Sequence, residues 1–382
     1  MNRTAAVIVL IVGCLVWEAC SPSPTKTNFV MMIGQDTLGV ESYTMSPSRL
    51  EGTSVIRSPR TTIRDYSASF EPSGALKEFV VTYRSPDGTT LSERKYAYTD
   101  DSVHISLKQG DNMRSISTAA TGHPYPFFMD IAAGWDAALQ HAQGEAGSKQ
   151  TDLLGGRRVI HCDVQGTAPG RLAITSSDLA PDTLYATVDK DGRLEGLDLT
   201  ATTDKYVFTR VPTLDILGKQ AEFSALDSTG MGMGVLSPRD TARAVIRGAH
   251  ILIDYGRPSM RGREIFGNVV PWGEVWRTGA NAATQLITDR NLRFGKTIVK
   301  KGTYSLFTLP SQSGWQLIIN KQHGQWGTRY DEKQDLVRLP MKTSMLSTPV
   351  EEFTLEVARA GRHGVLRFRW DRLEESIPFE VR

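Results

Sequence analysis

The side chains best suited to molecular recognition lie between residues 255 and 330, where arginine is unusually dense. Four arginines are grouped in this stretch: Arg257, Arg261, Arg263 and Arg277. A guanidinium group is planar and permanently charged, so it binds carboxylate, phosphate or sulfate through paired hydrogen bonds. The four arginines therefore predict a cationic surface that binds an anionic ligand.

Aromatic, amide and hydroxyl side chains occur in the same stretch. The tryptophans are Trp272, Trp276, Trp315 and Trp326, and the polar residues suited to orienting a ligand are Asn281, Thr284 and Asn320. Tryptophan offers a flat face that stacks on a sugar ring or on arginine. Amide and hydroxyl groups supply directional hydrogen bonds. With the arginines, these residues predict a binding site for a polar ligand, either a glycan or an anionic molecule.

Each of these groups also has a structural interpretation. Arg257 precedes Pro258, and Arg263 follows Gly262, so both arginines could hold loop carbonyls in place. Trp276 and Trp315 alternate with polar neighbours, as tryptophans in a hydrophobic core do. Acidic residues in the same stretch could also neutralise the arginines without any ligand. The sequence leaves binding and structural roles open for every one of these side chains.

Catalysis is the main alternative to binding. Four carboxylates lie in or just after the stretch: Glu264, Glu274, Asp331 and Glu332. Two carboxylates on either side of a glycosidic bond can hydrolyse it, but the sequence does not give their separation. No nucleophile elbow, phosphate-binding loop or dinucleotide-binding motif supports another enzyme class. A hydrolase acting on envelope glycans is therefore the alternative function.

Histidine and cysteine indicate neither a metal nor a cofactor. The seven histidines are not grouped at metal-ligand spacing, and His323 stands alone in a turn-like stretch. The cysteines number three, Cys14, Cys20 and Cys162, which excludes a disulfide framework. Cys162 fits a small buried residue of a strand. The net charge of +2 gives no reason to expect nucleic acid as a partner.

Several motifs in the C-terminal half occur together in one known family. They are Y-G-R-P-S-M-R-G-R-E-I-F-G, P-W-G-E-V-W-R-T-G-A-N-A-A-T, K-G-T-Y-S-L-F-T-L-P, W-Q-L-I-I-N-K and Q-W-G. In this order they resemble the bacterial domain of unknown function 2911 (DUF2911) over about residues 251–357. The resemblance implies no activity, because none is established for the family.

Hydrophobic patterning predicts a mainly β protein with two domains, since 382 residues exceed what one core usually serves. Residues 29–226 alternate polar and apolar side chains between turn signals, which predicts an antiparallel sheet with one covered face. A glycine-rich linker is expected at residues 227–241. Short strands separated by glycine and proline turns predict a β-sandwich over residues 242–382.

One helix, near residues 126–142, is expected to cover the N-terminal sheet. Pro126 suits a first helical turn, and the apolar residues that follow share one helical face. They are Phe127, Phe128, Ile131, Trp135, Ala138, Leu139 and Ala142. A sheet over one helix is similar to the half-barrel domains that carry lipids in the bacterial envelope. This helical face therefore either fills the core or contacts an acyl chain, which would make the domain a lipid carrier.

The N-terminus resembles the signal of a bacterial lipoprotein. Residues 1–20 carry Arg3 and an apolar run that is too short to span a membrane, and a polar linker follows at residues 21–28. Cys20 is the expected lipidation site, and Cys14 is the alternative. A cleaved signal without lipid is a further alternative. We expect a protein exported to the periplasm or outer membrane and attached to the membrane through its lipid.

Overall fold

The computed structural model describes residues 25–144, 150–180 and 182–382. The predicted signal segment and both candidate lipidation sites, Cys20 and Cys14, lie outside these residues. Within them the chain forms one 15-stranded sheet followed by sheets of six and four strands. The prediction of a mainly β fold is confirmed. No helix in the described part of the chain has the length and apolar character of a membrane span.

The 15-stranded sheet grows outward from its first strand in both directions. Strands β1 to β8 follow one another as antiparallel neighbours, and β15 back to β9 continue the sheet on the other side of β1. The first half comprises β1 (Thr25–Ile33), β2 (Asp36–Ser46), β3 (Arg49–Ile56), β4 (Thr62–Phe70), β5 (Leu76–Arg84), β6 (Thr90–Tyr98), β7 (Ser102–Gln109) and β8 (Asn112–Ala119). The second half comprises β9 (Tyr125–Pro126), β10 (Gln150–Gly155), β11 (Arg158–Ala168), β12 (Arg171–Thr175), β13 (Leu184–Val188), β14 (Leu194–Asp198) and β15 (Tyr206–Val211).

Helix α1 (Ala132–Gly144) begins later than the sequence predicted. Tyr125 and Pro126 instead form β9, which pairs in parallel with β10. The carboxylate of Glu41 accepts hydrogen bonds from the first helical N–H groups, Ala132 N at 2.6 Å and Ala133 N at 3.1 Å. These bonds satisfy backbone donors that a helix start leaves unpaired. The start of α1 is therefore fixed by a residue of β2 that no local pattern identifies.

The apolar face of α1 is packed into the core of the N-terminal domain. Ile131, Trp135, Ala138, Leu139 and Ala142 are all buried in one hydrophobic cluster with residues from both halves of the sheet. The predicted neighbours Phe127 and Phe128 lie at the margin of the same cluster. These contacts favour the core-filling interpretation of the helical face over contact with an acyl chain.

A second helix, α2 (Ile216–Ser228), lies on the opposite face of the sheet and was not predicted. Its one buried residue, Phe223, packs against Val40, Val55 and Ile63. The helix start is capped by Asp215, whose carboxylate accepts a hydrogen bond from Gly218 N at 2.9 Å. A single buried side chain gives no apolar stripe, which is why periodicity did not reveal this helix.

The C-terminal domain encloses one core between two antiparallel sheets. The six-stranded sheet contains β16 (Arg239–Ile246), β17 (Ala249–Gly256), β18 (Thr284–Thr288), β21 (Gly302–Leu309), β22 (Gln316–Asn320) and β23 (Asp335–Pro340). The four-stranded sheet contains β19 (Leu292–Phe294), β20 (Thr297–Val299), β24 (Lys342–Ala360) and β25 (His363–Val381). A short 3-10 helix (Glu332–Gln334) precedes β23. Side chains of both sheets, such as Leu286 and Phe368, share the buried cluster.

The two domains meet where the β1–β2 turn contacts the arginine-rich loop of the C-terminal domain. Gln35 N donates to Arg261 O at 2.9 Å, and the Arg261 guanidinium donates to Asp36 at 2.6 Å. The approach requires glycine at position 34, because a Cβ there would lie 2.1 Å from Arg261 O. This contact sets the N-terminal domain against the predicted binding residues.

Candidate ligand-binding pocket

A pocket of about 320 Å³ lies between the two domains. Its N-terminal wall comes from Ile33, Ser58 and the turn at residues 203–206, and residues 235–237 of the connecting segment add to it. The C-terminal wall includes Arg263 and the segment from Trp276 to Asn281, the centre of the motif stretch. This volume is in the range of natural small-molecule sites.

The turn that carries Arg277 is held in a strained conformation. Trp276 pairs with Thr308 through two backbone hydrogen bonds of 2.8 and 2.9 Å, which fix the start of the turn. Thr278 then adopts a φ of 52°, although a β-branched residue rarely occupies this left-handed region. Its carbonyl accepts a 2.6 Å hydrogen bond from the buried Thr284 hydroxyl. Such strain persists only where surrounding contacts enforce it, and it is concentrated at functional sites.

The Arg277 side chain lies against Gly327, where an added Cβ would be 2.5 Å from Arg277 Cδ. Among the described residues, no carboxylate lies within 4.0 Å of its guanidinium, and the guanidinium makes no hydrogen bond. Burial lowers the pKa of Arg277, and the more distant Asp204 partly opposes that effect. Arg277 therefore presents a poorly solvated positive charge to the pocket.

Two further cations and one acid surround Arg277. The Arg263 guanidinium donates to Met260 O at 2.9 Å, and burial and the nearby Arg261 lower its pKa. Lys205 donates to Thr200 O at 2.7 Å, and burial, with repulsion from the pocket arginines, lowers its pKa. Burial raises the pKa of Asp204. Three cations against one carboxylate give the pocket lining a net positive charge.

Tryptophan forms the apolar part of the pocket. Trp276 and Trp370 both line it and stack on each other, with ring centroids 5.9 Å apart and planes inclined by 17°. Trp326 also lines it and is 49% exposed. A half-exposed indole beside cations offers a ligand both a flat face and a charge.

Arg257 and Arg261 lie outside the pocket lining and have protein partners. Arg257 pairs with Asp240 at 3.3 Å and with Glu352 at 3.0 Å. Arg261 pairs with Asp36 across the domain contact. The structure thus separates the four predicted arginines into two that form ion pairs and two, Arg263 and Arg277, that line the pocket.

The other predicted residues also divide between the pocket and the core. Asn281 lines the pocket and donates to Ser237 O at 3.3 Å. Asn320 is fully buried and donates to Asp335 at 2.9 Å. Trp272 packs edge-to-face on Trp315 in the sandwich core, with ring centroids 6.5 Å apart. These last three side chains have structural contacts away from the pocket.

None of the four carboxylates considered for hydrolysis lines the pocket. Glu264 and Glu274 are exposed on the surface. Asp331 accepts a hydrogen bond from Lys333 N at 3.0 Å, and Glu332 pairs with Arg338 at 2.6 Å. The described residues also contain no group of three or more His, Cys, Asp or Glu side chains arranged to hold a metal ion.

Sequence reasoning missed the pocket residues that lie outside the motif stretch. Asp204 and Lys205 come from the turn before β15 in the other domain, Tyr206 begins that strand, and Trp370 comes from β25. The turn has an ordinary polar composition, and Trp370 alternates with arginines as a core residue of a strand does. Neither segment carries a sequence signal of binding.

Comparison with known protein families finds a match in the C-terminal domain. Residues 237–379 match the family described as "Protein of unknown function (DUF2911)", so the resemblance found in the motifs is confirmed. No curated protein matches the chain.

Two solved structures show a weak similarity to the chain. A DUF1089 family protein from Pseudomonas aeruginosa is 11% identical, with a TM-score of 0.31, covering 43% of this chain and 90% of its own. A β-barrel-like DUF1849 protein from Brucella abortus is 13% identical, with a TM-score of 0.31, covering 50% of this chain and 98% of its own. Neither similarity is strong enough to indicate a function.

Proposed function

We propose that this protein binds a polar, anionic ligand in the pocket between its DUF2911 domain and its N-terminal sheet domain. The observation that carries the proposal is Arg277, a partly buried guanidinium that faces the pocket without a carboxylate partner among the described residues. A cation withdrawn from water and left unpaired is costly. A ligand anion would supply the missing partner through two parallel hydrogen bonds.

The surroundings of Arg277 support recognition of an anion. Lys205 and Arg263 add positive charge, the strained turn at Thr278 fixes the backbone next to Arg277, and the stem of the Arg277 side chain lies against Gly327. A preorganised charge loses less entropy on binding than a mobile side chain. Trp326 supplies a face for a sugar ring, so an anionic glycan unit fits the same site.

Binding fits the pocket better than either alternative function. Glycoside hydrolysis by the usual mechanism needs two carboxylates, and the described lining contributes one, Asp204. A lipid carrier needs an apolar cavity, whereas the α1 face is packed against the sheet. The binding proposal uses the charged groups that these alternatives leave unexplained.

The proposed location is the bacterial cell envelope. The support is the N-terminal sequence, an apolar run followed by Cys20 and a Ser-Pro-Ser-Pro linker. A lipid on Cys20 would hold the protein at a membrane facing the periplasm, where envelope glycans and their anionic fragments occur.

The test measures ligand binding to the full-length protein in detergent. Tryptophan fluorescence reports the binding, because indoles line the pocket. The probes are glucuronate, glucose 6-phosphate and glucose 6-sulfate, with neutral glucose for comparison. We expect at least one anionic probe to bind. The Arg277→Gln substitution should reduce the affinity for that probe by roughly ten- to a hundredfold, because a charged hydrogen-bonding partner is lost.

Arg243→Gln is the matched control, because Arg243 is an exposed arginine of β16 away from the pocket lining. It should leave binding unchanged. Equal binding of glucose and the anionic probes, or equal loss in the two variants, would refute the proposed role of Arg277. Failure of all three sugar anions and of 3-phenylpropionate to bind would refute the proposed function.

A further inference from the structure

Asp204 faces Arg277 across the same pocket from the other domain. Burial and the nearby Asp130 raise the pKa of Asp204, and the electrostatic attraction of Arg277 partly opposes them. Their charged groups nevertheless do not come within 4.0 Å of each other. Among the described residues, the Asp204 carboxylate accepts no side-chain hydrogen bond. The pocket therefore contains two opposite charges that are close but unpaired.

Contacts on each side fix the segments that carry the two charged side chains. Arg277 follows the strand pairing of Trp276 and is confined by Gly327. Asp204 precedes Lys205, which has a left-handed φ of 62° and is tied to Thr200 O. Opposite charges at low solvation attract strongly, so flexible side chains would be expected to close the gap. The two side chains instead line one pocket of about 320 Å³ and stay more than 4.0 Å apart.

We propose that the pocket binds a zwitterionic ligand, whose anionic group contacts the Arg277 guanidinium and whose ammonium group contacts the Asp204 carboxylate. The body of the ligand lies against the indole of Trp326 or Trp276. This inference rests on the proposed function and narrows its ligand class to molecules with a carboxylate or phosphate and a protonated amine. A ligand of this kind neutralises both unpaired groups at once and connects the two domains.

A series of similar probes tests the contribution of each ligand charge without any mutation. Phenylalanine carries a carboxylate and an ammonium group, 3-phenylpropionate carries the carboxylate alone, and 2-phenylethylamine carries the ammonium alone. Binding to the full-length protein is measured by tryptophan fluorescence at neutral pH. We expect phenylalanine to bind roughly ten- to a hundredfold more tightly than 3-phenylpropionate, the difference that one charged hydrogen bond supplies.

The Asp204→Asn variant should remove that preference while binding 3-phenylpropionate at least as well as the wild type, because a competing negative charge is gone. Asp111→Asn, an exposed acid in the turn after β7, is the control and should keep the preference. An unchanged melting temperature for Asp204→Asn shows that the variant is folded. Because the wild-type probe series needs no variant, the inference stays testable even if Asp204→Asn is unstable.

The outcomes distinguish this inference from the proposed function. If 3-phenylpropionate or an anionic sugar binds through Arg277 and phenylalanine binds no better, the zwitterion proposal is wrong and the anion site stands. If phenylalanine is preferred and Asp204→Asn keeps that preference, the ammonium contact is not at Asp204 and the inference is again overturned. If no anion or zwitterion binds, both proposals are refuted.

Discussion

Replacing Arg261 by glutamine should lower stability and largely keep ligand binding, whereas replacing Arg277 by glutamine should keep stability and remove ligand binding. Arg261 donates to Asp36 at 2.6 Å, with the arginine side chain 14% and the aspartate side chain 43% exposed. A hydrogen bond between charged groups contributes about 1.5–3 kcal/mol to stability. Because Asp36 is partly exposed to solvent, this contribution is reduced towards that of a surface ion pair. We expect Arg261→Gln to lower the free energy of unfolding by about 1–2 kcal/mol.

Arg277→Gln should leave the free energy of unfolding unchanged or raise it. The guanidinium has no described partner to lose, and its lowered pKa reflects the cost of withdrawing the charge from water. Stabilisation on removing a binding residue is a known sign of a functional site. Ligand binding should be lost in Arg277→Gln and largely kept in Arg261→Gln.

The assay is urea denaturation of the full-length protein, followed by circular dichroism and tryptophan fluorescence in parallel. Arg243→Gln reports the effect of removing an exposed charge and should change stability by less than about 0.5 kcal/mol. A loss in Arg277→Gln as large as that in Arg261→Gln would mean that Arg277 stabilises the fold, and the argument for an unpaired pocket cation would fail.

Three further predictions concern other parts of the chain. Burial raises the pKa of Glu41 from 4.5 to about 7, so its contribution to stability is full below pH 4.5 and is lost as the pH rises through 7. At ~1.4 kcal/mol per pKa unit, the free energy of unfolding should fall by about 3 kcal/mol between low and high pH. Denaturation curves at pH 5 and pH 8 should show this fall in the wild type and not in Glu41→Gln. The same pH dependence in both proteins would contradict the raised pKa of Glu41. Gly327→Ala should displace both Arg277 and the adjoining Asn281 backbone, because the new Cβ would lie 2.5 Å from Arg277 Cδ and 2.7 Å from Asn281 O. Anion binding should weaken about as much as in Arg277→Gln, and normal binding in this variant would contradict the placement of the guanidinium. Mass spectrometry of the mature N-terminus should find a lipid on Cys20. A lipid on Cys14 would move the lipidation site to that residue. An unmodified N-terminus beyond Cys20 would exclude the lipid anchor.

Sequence patterns were reliable where structure depends on local periodicity. The buried face of α1, including Trp135 and Leu139, was predicted because these residues recur at helical spacing. The start of α1 was not, because its N–H groups are satisfied by Glu41, 91 residues away from Ala132. Helix α2 was missed for a related reason, since Phe223 alone anchors it to the sheet.

The sequence by itself identified the motif stretch that resembles DUF2911 and that supplies Arg263, Arg277 and Trp326 to the candidate site. It could not distinguish Arg261 from Arg277, because a guanidinium binds a ligand only if no protein carboxylate reaches it first. Asp36, which pairs with Arg261, is 225 residues away in the chain, and Asp204 comes from the other domain. Ion pairing depends on distances of a few ångströms in space, and only the tertiary structure sets these distances. The tertiary structure therefore decided which arginines are structural and which face the pocket, within the C-terminal domain for Arg257 and across the domain contact for Arg261.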